Sequence, residues 1–171
     1  MAIIVEDGTK LANANSYGSV IEADNYFAAR GNKLWLSLDT AVKEALLVQA
    51  TDYIELRFSR RFIGVKQTET QSLSWPRDKV GKLPLIPDVL KKACFEYAIR
   101  ANDGALAPDP KIDESGLAVT VRRQKVGPLE KEFRTPENGV GSQVLEFRPY
   151  PAADNLLSEL LRSDYGRWIR N

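Results

Sequence analysis

The residue types that most often carry chemistry are scarce in this chain. It has no histidine and one cysteine, Cys94. The missing imidazole removes Ser-His-Asp and Cys-His catalysis, His-ligated zinc and the commonest general base near neutral pH. A lone thiol rules out a multi-cysteine zinc or iron–sulfur site within one chain. Cys94 falls on an apolar helical stripe, where free cysteine packs as a small hydrophobe. No G-x-x-x-x-G-K-[ST] or G-x-G-x-x-G loop can be read, so no motif cradles a nucleotide phosphate. The closest carboxylates, Asp113-Glu114 and Glu130-Lys131-Glu132, lie in a linker and on a hairpin, where such groups are solvated. The expectation is a non-enzymatic protein with no catalytic residue, no cofactor and no metal.

What remains is the chemistry of contact. Arg57, Arg60 and Arg61 close a helix, where cations suit the negative end of the helix dipole. Arg122, Arg123 and Lys125 fall on one strand. Each cluster reads either as a solvated face or as a patch for nucleic acid or an acidic partner. Single-strand binding interleaves such charges with stacking aromatics, and Phe133 is the only aromatic near the second cluster. Trp75-Pro76-Arg77 reads either as a loop plugged into its own core or as an inter-subunit contact through Trp75 and Arg77. The C-terminal stretch Tyr165-Gly166-Arg167-Trp168-Ile169-Arg170 carries large apolar groups at a chain end. Such groups need somewhere to bury, on their own domain or on another protein.

The elements that position these residues follow from periodicity. Residues 2–5 suit a short edge strand or ordered arm. Ser19 and Glu22 have capping-box spacing, and Gly31 ends a helix over about 20–30. Asp39 or Thr40 opens a second helix, with Leu46, Leu47, Ala50, Tyr53, Ile54 and Phe58 in one stripe. Residues 59–86 hold Gly64, Pro76, Gly81 and Pro84 and read as one long connection. A third helix follows Pro87 and stops at Gly104. Residues 105–116 read as a linker. Alternation at Leu117, Val119 and Val121 marks a strand, Gly127-Pro128 a turn, and Leu129 to Arg134 its return. Leu145 and Phe147 suggest a third short strand. Pro151 precedes a last helix over about 152–163, with Leu156, Leu157, Leu160 and Leu161 on its apolar face.

The sum is a mainly α (α+β) chain: a bundle of about four helices with a small β-hairpin inserted before the last. Residues 1–108 would form the N-terminal part of the core, 109–150 the linker and hairpin insertion, and 151–171 the last helix and a docking tail, all within one domain. The 171 residues suffice for a core without disulfide or metal staples. At 43% apolar and 27% charged, with a net charge of +1, the chain lacks the basic excess of a dedicated duplex-DNA binder. No secretory leader and no membrane span can be read, so the expectation is a soluble protein made in a cytoplasm.

The order of segments is also familiar. Asn15-Ser16-Tyr17-Gly18-Ser19-Val20-Ile21-Glu22-Ala23-Asp24-Asn25-Tyr26-Phe27-Ala28-Ala29-Arg30-Gly31 resembles the opening of phage head–tail connector (adaptor) proteins. Some of these are catalogued as DnaT-like single-stranded DNA-binding proteins. The likeness continues through Lys43–Ile54, Gln71–Arg77, Ile86–Ala93 and the strand–Gly turn Val121–Leu129, and so covers residues 15–130. After the turn glycine the family commonly has an acidic residue where this chain has Pro128.

The resemblance implies a virion adaptor forming a ring of about twelve copies between portal and tail, with DNA passing through its channel without sequence-specific binding. Its partners would be other copies of the chain, the portal protein and a tail-side stopper or terminator. It would be assembled in the host cytoplasm and would involve no membrane. Tyr165, Arg167, Trp168, Ile169 and Arg170 are then candidates for portal docking. The DnaT-like label implies instead single-stranded DNA binding in replication.

Overall fold

The computed structural model describes residues 2–108, 123–126, 129–132 and 148–162. The fold is mainly helical with a small antiparallel hairpin, as the periodicity requires. In chain order it contains α1 (Val20–Ala28), α2 (Lys33–Leu36), α3 (Thr40–Phe58), β1 (Val65–Lys66), β2 (Arg77–Asp78), α4 (Asp88–Ala101), β3 (Arg123–Val126), β4 (Leu129–Glu132) and α5 (Pro151–Leu157). A 3₁₀ turn, Ser158–Leu160, extends α5. The chain divides into two compact units, one of residues 1–106 and 149–171, the other of residues 107–148.

In the first unit α3 packs along α4, and α5 packs on α4. Their stripes meet in a core that fully buries Leu47, Ile54, Leu90, Tyr97 and Leu157. The Ser19 capping box forms as its spacing predicts: the Ser19 hydroxyl accepts from the Glu22 amide, and the Glu22 carboxylate accepts from the Ser19 amide. Glu22 also meets the Lys91 ammonium of α4 at 2.6 Å, which ties the start of α1 to α4. Gly18 lies so close to the Phe95 ring that a Cβ there would sit 2.4 Å from a ring carbon.

Two features exceed the sequence-based expectation. The single turn α2 makes five α-helices among the described residues where about four were expected. Asn32 caps it, and it inserts Trp35, 0% exposed, against Phe27, with the indole N–H donating to Asp24 at 2.8 Å. A four-residue helix is too short to show a period, which is why it escapes a pattern search. The connection over 59–86 is no open loop either. β1 pairs antiparallel with β2, setting Val65 opposite Asp78 and Lys66 opposite Arg77. Gly64 makes this possible: its φ is +71°, and a Cβ there would lie 2.1 Å from the Asp78 carbonyl oxygen.

The N-terminal arm is ordered. Val5 bridges Ser16 in parallel, and Glu6 is wholly buried. Its carboxylate accepts from the amides of Gly8, Lys10 and Leu11 at 2.8, 3.0 and 2.9 Å. Removing it leaves three backbone donors without their acceptor. Glu6→Ala is therefore expected to cost about 2–3 kcal/mol, read as a shift of the urea midpoint at unchanged slope. A shift within error would show that water replaces the carboxylate freely.

The last helix of the first unit ends by returning to the end of α3. Ile63 donates to the Leu160 carbonyl at 2.9 Å, and Arg162 to the Arg61 carbonyl at 2.8 Å. The expected third strand at Leu145 and Phe147, and the strand residues 117–121, lie outside the described residues.

Candidate functional site

Each contact candidate can be followed to its place. Arg57, from the helix-end cluster, turns inward. Its guanidinium makes two bonds to Asp154 of α5, at 2.8 and 3.2 Å, and donates to the Tyr53 hydroxyl at 2.9 Å. Asp154 also accepts from the Tyr97 hydroxyl and from the Tyr150 amide at 3.0 Å. Tyr53, Tyr97 and Tyr150 meet edge to face around this carboxylate, with ring centroids 4.9–5.9 Å apart. Burial, and then the Asp154 carboxylate, push the Tyr97 phenol well above its ordinary value, so it remains the donor. Sequence reasoning missed this cluster because its members lie on three separate helices and at one helix boundary. Arg60 and Arg61 stay exposed, the latter with its guanidinium 5.7 Å from the Phe58 ring.

Trp75 and Arg77 are folded into their own chain, at 0% and 8% exposed. Trp75 stands edge to face on Phe62 at 5.9 Å, and a cis bond joins it to Pro76. Arg77 donates to the carbonyls of Ile63, Ser74 and Gly64 at 2.7, 3.2 and 2.9 Å, stapling the connection around itself. Glu55 of α3 holds the same segment, accepting from the hydroxyls of Tyr17 and Ser74 and from the Ser74 amide. With this burial the pair has little surface to present to a neighbouring subunit.

Cys94 is buried, 3.4 Å from the Thr51 hydroxyl. Burial pushes its thiol up to about 11, so near neutral pH it is protonated and a poor nucleophile. Among the described residues no group of His, Cys, Asp and Glu is placed to hold a metal ion. No described helix is long and apolar enough to cross a membrane.

In the second unit the register sets Arg123 opposite Glu132, Gln124 opposite Lys131, Lys125 opposite Glu130, and Val126 opposite Leu129. Each described basic residue of the candidate patch thus takes the register position opposite an acidic residue. Arg122 lies outside the described residues, as do Phe133 and the tail candidates Tyr165, Arg167, Trp168, Ile169 and Arg170.

The surface of the first unit has a definite character. Every described aromatic ring is buried except that of Tyr26, which is half-buried under the Arg30 guanidinium at 3.5 Å. Large aliphatic side chains lie outside instead: Ile21 and Leu56 are 73% and 67% exposed, and Leu34 and Leu36 of α2 and Val42 of α3 are exposed too. A shallow cleft of about 370 Å³ between the end of α1 and α4 is lined by Arg30, Arg100, Glu96 and Asp103 among others. Its charges are balanced, and Glu96 is already bound by Arg100 at 2.6 Å and by the Tyr26 hydroxyl at 2.7 Å.

These features define a small, mainly helical protein with an inserted β-ribbon. The model of a family described as "Putative DnaT-like ssDNA binding protein" matches residues 1–170, and the chain belongs to that family. No curated protein and no solved structure matches it.

Proposed function

We propose that this protein is a non-enzymatic virion subunit, a head-to-tail adaptor that joins others of its kind in a ring between portal and tail. One observation carries the reading. Among the described residues the first unit presents aliphatic side chains to solvent and buries every aromatic ring but the half-buried Tyr26. Aliphatic surface suits contact with protein, whereas binding of a single strand calls for exposed rings on which bases stack. The ordered resemblance over residues 15–130 supports the same reading. The test is a reconstruction of assembled particles. This chain is expected at the head–tail junction, and its absence there ends the proposal.

The second reading is single-stranded DNA binding. The family description speaks for it directly, as do the exposed Arg60 and Arg61. Titration of labelled oligonucleotides across a salt series separates the two. A binder weakens steeply as salt rises, because phosphate contacts release counterions. An adaptor shows no binding even at low salt, and tight, salt-sensitive binding would put the second reading first.

Portal attachment is assigned to residues 164–171, with Trp168 and Ile169 as apolar anchors beside Arg167 and Arg170 and with Tyr165 at their start. Truncation after Ser163 keeps α5 and its return to α3. It is expected to leave a folded protein that no longer joins portals. A truncated chain that joins them as well as the intact one removes the tail from this role.

A further inference from the structure

The ribbon β3–β4 has a division of charge that its amino-acid composition hides. Of its register positions, Arg123 and Lys125 are on β3 opposite Glu132 and Glu130 on β4, while the third basic residue, Lys131 of β4, pairs with Gln124 on the alternate positions. Side-chain positions alternate along a strand with period two, and residues opposite each other in register share a face. Arg123, Lys125, Glu130 and Glu132 therefore take positions on one face, the basic pair on β3 and the acidic pair on β4, with Lys131 on the other. The ribbon as a whole is near neutral, yet its two long edges differ in sign.

Each of these strands has one ladder neighbour among the described residues. An outer edge carries backbone N–H and C=O groups that can pair with a further strand. We propose that copies of this chain associate head to tail by strand addition, the β4 edge of one copy receiving the β3 edge of the next. In a register that places Arg123 and Lys125 of the next copy opposite Glu132 and Glu130, each carboxylate is flanked by cations on both sides. Joining β3 to β3, or β4 to β4, would set like charges side by side, which is unfavourable. The occupant selected is thus a second copy of the chain in a heterologous contact, the kind that generates rings when the rotation closes.

The ring rests on the adaptor reading, but the association can be tested on the free, full-length protein. The swap variant Arg123→Glu, Lys125→Glu, Glu130→Lys, Glu132→Lys keeps every cross-strand pair within its own ribbon, so its hairpin is expected to form. It is also self-complementary. Sedimentation velocity over rising concentration is expected to show the swap and the native chain each associating alike. Native mass spectrometry of the two mixed is expected to show oligomers sorted by type, because every mixed junction sets like charges together. The half-swap Arg123→Glu, Lys125→Glu is expected to associate at least about tenfold more weakly, with a deficit that shrinks at high salt. Adding Glu130→Lys, Glu132→Lys protein to it is expected to restore association. Statistical mixing of swap and native chains, a monomeric swap, or a failure of the two half-swaps to rescue each other overturns the inference. A native chain that stays monomeric at every concentration also overturns it. In each of these cases the adaptor reading still stands or falls on the particle neck.

Discussion

Replacing Asp154 by alanine is expected to lower the free energy of unfolding by about 3 kcal/mol, the loss expected on removing the shared acceptor of a partly buried, multiply hydrogen-bonded charge pair. The carboxylate lies between three helices. It accepts from Arg57 of α3, Tyr97 of α4 and the Tyr150 amide that begins α5. Both charged side chains are largely withdrawn from water, at 16% exposed for Arg57 and 22% for Asp154. Alanine leaves the Arg57 guanidinium, the Tyr97 hydroxyl and the Tyr150 amide without this acceptor. Because α5 enters the chain after the long insertion, this cluster holds the returning segment in place. Denaturant unfolding measures the size of the effect. Limited proteolysis should show cleavage near α5 well before the global transition. A double-mutant cycle with Tyr97→Phe should give a coupling of about 1–2 kcal/mol, as expected within one hydrogen-bonded network. Independent, additive effects would mean that the two groups do not act together.

The second large effect is expected at Trp75. Truncation to alanine removes a ring that is wholly buried, and should cost about 3–5 kcal/mol by lost burial and the cavity left behind. Trp75→Phe should cost about 1 kcal/mol or less, and the two substitutions together identify the cause. Phenylalanine keeps an aromatic face on Phe62 and removes an indole N–H that has no hydrogen-bond partner among the described residues. Thermal or urea unfolding of the isolated protein decides the matter. Were Trp75 an anchor for a neighbour rather than for its own loop, Trp75→Ala would leave the isolated chain's stability nearly unchanged and act only on assembly.

Periodicity was sufficient for the long helices. The stripes of α3 and α4, the capping box at Ser19 and the stop near Gly104 are local signals, written within a few residues of where they act. The hairpin was legible for the same reason, since a change of period and a Gly-Pro pair mark it. The missing histidine and single cysteine likewise exclude whole classes of catalysis by residue type alone.

Tertiary structure alone decided which charged and aromatic residues are free to make contacts. Arg57 and Arg60 look alike in the chain, three residues apart in one basic cluster. Yet Arg57 meets a carboxylate 97 positions away, and Arg60 faces solvent. Trp75 and Arg77 look like interface residues by type, and they lie inside because Glu55, Tyr17 and the carbonyls of residues 63, 64 and 74 fold the connection around them. The division of charge between β3 and β4 required the register, because a shift of one residue would exchange the faces. The physical reason is common to all three. Helix period and capping depend on neighbours in sequence. Burial, ion pairing and strand register depend on neighbours in space, and those exist only once the chain has closed on itself.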